Sequence, residues 1–197
     1  MEADEFWGLV EQARQDARAE SSRPSAGAIG QALVRRLTRL PLERIVDFAH
    51  LCWSVKERVD RWEFCAACLV ITGYLSDDTF DYFKAGLIGL GREAFDRVTA
   101  DPDSLANHPD VVAIAAGHAP PDHLRGEEIL SAAGEAYFAR TGDEEAFHEA
   151  MMSGPTDGTR GSEWDGRFGE EDVAAIPVRL PGLVACFGET LGSGGTS

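Results

Sequence analysis

Lysine is almost missing from this chain. Of 18 basic residues only Lys56 and Lys84 are lysines, and 34 acids oppose them for a formal net charge of −16. The shortage of positive charge is uneven. Residues 1–100 carry 16 acids against 13 basic residues, and residues 101–197 carry 18 against 5. Such a chain is repelled by phosphate backbones and anionic lipid, so neither nucleic acid nor a membrane is expected as a partner. A basic protein or peptide would be steered toward the C-terminal half. The bland reading of the same charge is solubility.

Long apolar runs are missing too. None approaches the roughly 18 residues of a membrane span. The opening Met1-Glu2-Ala3-Asp4-Glu5 lacks the basic-then-apolar layout of a secretory leader, so the expected compartment is the cytoplasm. Cysteine is sparse, at four residues. Cys65-Ala66-Ala67-Cys68 has C-x-x-C spacing, but no second pair exists to complete a structural zinc site. The pair lies in an apolar stretch, not in the electropositive setting that activates a thiol. No metal and no cofactor are expected.

Apolar residues recur at helical spacing up to about residue 140. Phe6, Val10, Ala13 and Ala17 form one face of a first helix that Asp4 would cap. Ile29, Leu33, Leu37 and Leu40 mark a second helix. Pro41 opens a third, with Ile45, Phe48 and Cys52 inward. A fourth helix, about 60–73, is apolar nearly all round and should be central, with Gly73 ending it. Ser76 caps a fifth, whose inward face is Phe80, Phe83 and Leu87. Asp101-Pro102 repeats a start signal, residues 107–124 are less regular, and a last long helix ends at Gly142. A short piece around Phe147 continues it.

The expected class is all-α, a compact bundle of about seven to eight helices over residues 1–150. An irregular, acidic, loop-rich extension over 151–197 follows. There Gly154–Gly161 reads as a loop, and Trp164, Phe168, Val173, Ile176, Leu180, Leu183 and Phe187 should pack back on the bundle. Val178-Arg179-Leu180 is the one possible strand. Gly192–Ser197 reads as disordered.

Three acids stand out. Asp77, Asp78 and Asp81 spell the D-D-x-x-D box with which helical terpene synthases hold magnesium and diphosphate. No second metal box is present, and Ser76 makes these residues a capped helix start, where acids suit the positive end of the helix dipole. Arg92 follows a glycine turn and is suited to hold one of these carboxylates bidentately, or an anionic ligand. Gly86-x-x-Gly89-x-Gly91 follows a helix and is no phosphate loop. The histidines His50, His108, His118, His123 and His148 lack metal-ligand spacing, and no serine sits in a nucleophile elbow.

The chain resembles a family known as domain of unknown function 4240, common in actinobacteria. The matching pieces are Glu5-Phe6-Trp7, Leu40-Pro41 with Ile45 and Phe48, and Ser76-Asp77-Asp78-x-Phe80-x-x-Phe83. Leu87-Ile88, Gly91-Arg92, Asp101-Pro102-Asp103-Ser104-Leu105-Ala106, and Tyr137 before Thr141-Gly142 continue it, over roughly residues 4–142. The family has no agreed chemistry and supplies no catalytic residue. Its pattern has Trp at Cys65, Arg at Lys84 and Trp at Gly86. The resemblance therefore implies either a hollow between the fourth and fifth helices or a gap filled by neighbours such as Tyr74 and Phe64.

The leading expectation is a non-catalytic interaction or accessory module with a basic partner. The alternative is a small enzyme or a small-molecule-binding protein using that hollow. Catalytic candidates would be Asp77, Asp78, Asp81 and Arg92; ligand-binding candidates would be Trp62, Cys65, Lys84, Gly86 and Arg92.

Overall fold

A computed structural model describes residues 1–153 and 168–188. These residues are helical throughout, without a strand. The helices are α1 (Ala3–Glu20), α2 (Ala26–Leu37), α3 (Leu42–Glu57), α4 (Trp62–Thr72), α5 (Asp77–Gly89), α6 (Arg92–Ala100), α7 (Pro109–Ala115), α8 (Glu127–Thr141), α9 (Glu144–Ser153), α10 (Glu170–Arg179) and α11 (Pro181–Phe187). Two 3₁₀ segments, Pro102–Asn107 and Pro121–Leu124, flank α7. This exceeds the seven to eight helices expected. The surplus comes from the proline-rich stretch 107–124 and from the C-terminal segment. Both carry helical turns too short to show a periodic pattern.

Helix boundaries follow their local chemistry. The Ser25 and Ser76 hydroxyls accept from the N–H groups of Ala28 (3.2 Å) and Thr79 (3.1 Å). Gly73 (φ 74°) and Gly142 (φ 71°) end α4 and α8 in the left-handed region, where a Cβ is unwelcome. Asp4 does not cap α1. The helix begins one residue before it, Glu2 holds the cap position, and Asp4 lies in the first turn.

Helix α4 is buried on nearly every side, as an all-round apolar helix must be. Phe6, Phe48, Phe64, Phe83 and Phe95 are fully buried in one continuous core. Helices α2 and α8 touch backbone to backbone: a Cβ on Gly30 would lie 2.5 Å from the Glu128 carbonyl carbon.

The C-terminal segment is helical where irregular chain was expected, and Val178-Arg179-Leu180 forms no strand. Ile176, Leu180 and Leu183 bury against the bundle and Phe168 and Phe187 do so in part, whereas Val173, in the first turn of α10, stays exposed. The Asp103 carboxylate accepts from the backbone N–H groups of Gly182 and Leu183, each at 2.8 Å, and pins the start of α11. The expected loop 154–161, Trp164 and the expected disordered end 192–197 lie outside the described residues.

Candidate functional site

Both lysines of the chain are buried, and both converge on Asp81. Lys56, from α3, donates to Asp81 Oδ2 at 2.7 Å. Lys84, one turn beyond Asp81 on α5, lies 3.0 Å from Asp81 Oδ1 and donates at 3.0 Å to Asp60 in the α3–α4 turn. A buried ammonium costs several kcal/mol unless it is paired. Here each finds a carboxylate and an aromatic face, Trp53 at 4.4 Å for Lys56 and Phe80 at 4.5 Å for Lys84.

Electrostatics hold Asp81 and Lys84 in their charged forms. Burial pushes Asp81 up, but hydrogen bonds from Lys56 and Lys84, with their charges, outweigh it and hold the carboxyl below its ordinary range. Burial likewise pushes Lys84 down, and hydrogen bonds to Asp60 and Asp81 outweigh it, so the ammonium is held above its ordinary range.

The cluster floors a hollow of about 510 Å³ between α4 and α5. Asp60, Asp81, Lys84 and Cys65 form its base, Asp77 and Asp78 its lip, and Phe80 and Phe168 its walls. Asp77 and Asp78 are exposed and carry no side-chain partner among the described residues. Of the four carboxylates in the lining, Asp60 and Asp81 are answered by Lys84 and Lys56, which leaves Asp77 and Asp78 without a cation among the described residues. The Cys65 thiol is pushed up to about 12, first by burial and then by nearby Asp172 and Asp60, so it is neutral and unreactive. Among the described residues no three His, Cys, Asp or Glu side chains converge to hold a metal ion.

Of the residues expected at this corner, the structure gathers Asp77, Asp78, Asp81, Lys84 and Cys65. Arg92 departs from the expectation. It pairs with Asp4, 88 residues away, and lies 3.9 Å from Asp96. It therefore holds none of the three α5 carboxylates.

Trp62 stands one layer behind the wall. Its ring stacks on Phe168 (5.9 Å between centroids), its Nε1–H donates to Asp172 at 2.6 Å, and Arg179 covers it at 4.2 Å. The C-terminal segment thus covers the Trp62 ring, which does not line the hollow.

Gly86 is outside the hollow. A Cβ there would meet the Leu124 carbonyl oxygen at 1.7 Å, so backbone, not a cavity, fills the space beside it. Neither Tyr74, which is exposed, nor Phe64, which is buried, lines the α4–α5 hollow. The gap is thus filled at Gly86 and open at Cys65.

Lys56, Asp60 and Phe168 are not among the site candidates read from the sequence. The signal for the first was present: two lysines among arginines mark positions where a compact ammonium fits and a planar guanidinium does not. Asp60 and Phe168 carry no such mark.

No curated protein and no solved structure matches the chain. A family model described as "Protein of unknown function (DUF4240)" matches residues 1–139, which include α1 to α7 and every residue of the hollow except Phe168. The chain belongs to that family.

Proposed function

We propose that the protein is a non-catalytic binding module whose α4–α5 hollow receives a cationic group, the guanidinium or ammonium of a basic partner protein. The observation that carries this reading is the lip: the buried lysines already answer Asp60 and Asp81, while Asp77 and Asp78 have no side-chain partner among the described residues. The aromatic wall Phe168 suits a cation as well, the Phe80 ring being already covered by Lys84. The pinned protonation of Asp81, Lys84 and Cys65 supports binding over catalysis, since none of the three is poised to exchange a proton near neutrality. The four unpaired thiols fit a reducing, cytoplasmic setting.

The test is an NMR titration with an acetylated, amidated Gly-Arg-Gly peptide. Binding should perturb α4 and α5 amides and weaken by about tenfold in the Asp77→Asn/Asp78→Asn double variant. Equal binding by the variant overturns the reading.

A second reading, a small enzyme using the same hollow, draws on one observation: Asp78 faces the cavity with no backbone partner. It requires a turnover that Asp78→Asn abolishes while the melting temperature stays unchanged.

A further inference from the structure

A second hollow, of about 390 Å³, lies across the first turn of α5. Ser76 and Asp78 line both hollows, so the two share a lip. Their chemistry differs. The second is walled by Tyr74, Tyr82 and Pro121, with Arg125 at its edge. Two of the three tyrosines of the chain stand there, and Tyr74 is 64% exposed.

The second hollow is preformed. The Gly126 N–H donates to the Tyr82 carbonyl at 2.9 Å, which ties the segment ahead of α8 to α5. A Cβ on Gly126 would lie 2.4 Å from the Gly86 nitrogen, so the two glycines let the backbones touch. Above this seam the Arg125 guanidinium lies over the Tyr82 ring at 4.7 Å and donates to Glu127 at 2.6 Å. Walls fixed in this way lose little freedom when a ligand arrives.

Resting on the reading of the α4–α5 hollow as a cation site, we propose that the two hollows form one bipartite groove. Its occupant is an extended segment of a basic partner protein that presents an arginine or lysine to the acidic hollow and an aromatic residue to the tyrosine-lined one. Charge complementarity favours this occupant: the chain carries −16, and at the lip of the acidic hollow Asp77 and Asp78 have no side-chain partner among the described residues. The hollows share Ser76 and Asp78, so an extended chain that crosses this lip sets side chains a few residues apart in both. A lone cation fills only one.

The experiment compares acetylated, amidated Gly/Ser octapeptides carrying one Arg and one Trp at increasing separations. Arg-only and Trp-only peptides serve as controls, and all are titrated into the full chain by NMR. The proposal expects an optimum at a short separation, about two to four residues, with affinity about tenfold above the Arg-only peptide. Tyr74→Ala should remove that gain and leave Arg-only binding unchanged. If the Arg-only peptide binds and added Trp brings no gain at any separation, the bipartite groove is overturned while the cation site stands. Equal affinity of the Trp-only and Arg-plus-Trp peptides also overturns it. If nothing binds, both readings fall together.

Discussion

Lys56 Nζ reaches Asp81 Oδ2 at 2.7 Å across 25 residues of sequence, joining α3 to α5 from inside the bundle. Lys84 approaches the other oxygen of the same carboxylate at 3.0 Å. One acid thus answers two buried cations and turns its remaining surface to the hollow. Asp81 is scaffold and lining at once, whereas Asp77 and Asp78 are lining alone.

Removing the shared acid should therefore hurt more than removing a lysine. Asp81→Asn leaves two ammonium groups underpaired. A fully buried pair broken this way costs about 3–5 kcal/mol. The Asp81 side chain is 40% exposed, so solvent screening reduces the expected loss to about 1–3 kcal/mol. Lys56→Met keeps the Lys84–Asp81 contact and replaces a buried charge with an apolar chain, so its stability should stay within about 1 kcal/mol of the parent. Urea denaturation of both variants measures the difference, and a costlier Lys56→Met contradicts the assignment.

Stability should fall on both sides of neutrality. Asp81 is held below its ordinary value. So is Asp110, where His123, His108 and Arg23 outweigh the upward push of burial. The unfolded chain takes up these protons first on acidification. Their contribution is full above about pH 4 and is lost as pH falls through the folded values. His108, lowered chiefly by burial, adds a gentler decline that begins below about pH 6.5. Lys84 runs the other way: its contribution is full below about pH 10.4 and is lost as pH rises through its raised value. Denaturation midpoints across pH check the shape, and Asp81→Asn should flatten part of the acid limb.

Gly86→Ala should be severe for a residue that touches no ligand in the cation site. The added methyl meets backbone, the Leu124 carbonyl, which cannot swing aside as a side chain can. Overpacking of this kind costs typically about 1–3 kcal/mol, and a backbone obstacle puts the expectation at the upper end. Thermal melts give the size. A neutral Gly86→Ala would mean that the α5 seam with Leu124 and Gly126 is not closed.

Much of the bundle is legible in the sequence because its signals are local. Ser76, Gly73 and Gly142 act on their own helix ends, and α4 declares its burial through an unbroken apolar surface. The site is legible only in part. Asp77, Asp78, Asp81 and Lys84 share one helix, so their convergence follows from helical spacing. Lys56 and Asp60 join them through the packing of α3 on α5, which no local pattern encodes. Arg92 shows the converse, since nearness in sequence to the α5 acids suggested a tie, yet its partner Asp4 comes from α1. The C-terminal helices escaped notice because Pro177 and Gly182 break the pattern. Their docking depends on Trp62, Asp103 and other distant groups.

The claim at the centre is that the α4–α5 hollow selects positive charge, and replacing arginine by citrulline isolates that property. Citrulline keeps the length and planarity of the side chain and lacks the charge. In parallel titrations of Gly-Arg-Gly and Gly-citrulline-Gly peptides, the arginine form should bind at least about tenfold tighter at low salt. That margin should shrink as sodium chloride screens the exposed Asp77 and Asp78. Equal affinity of the two peptides, at every salt concentration, would contradict the account.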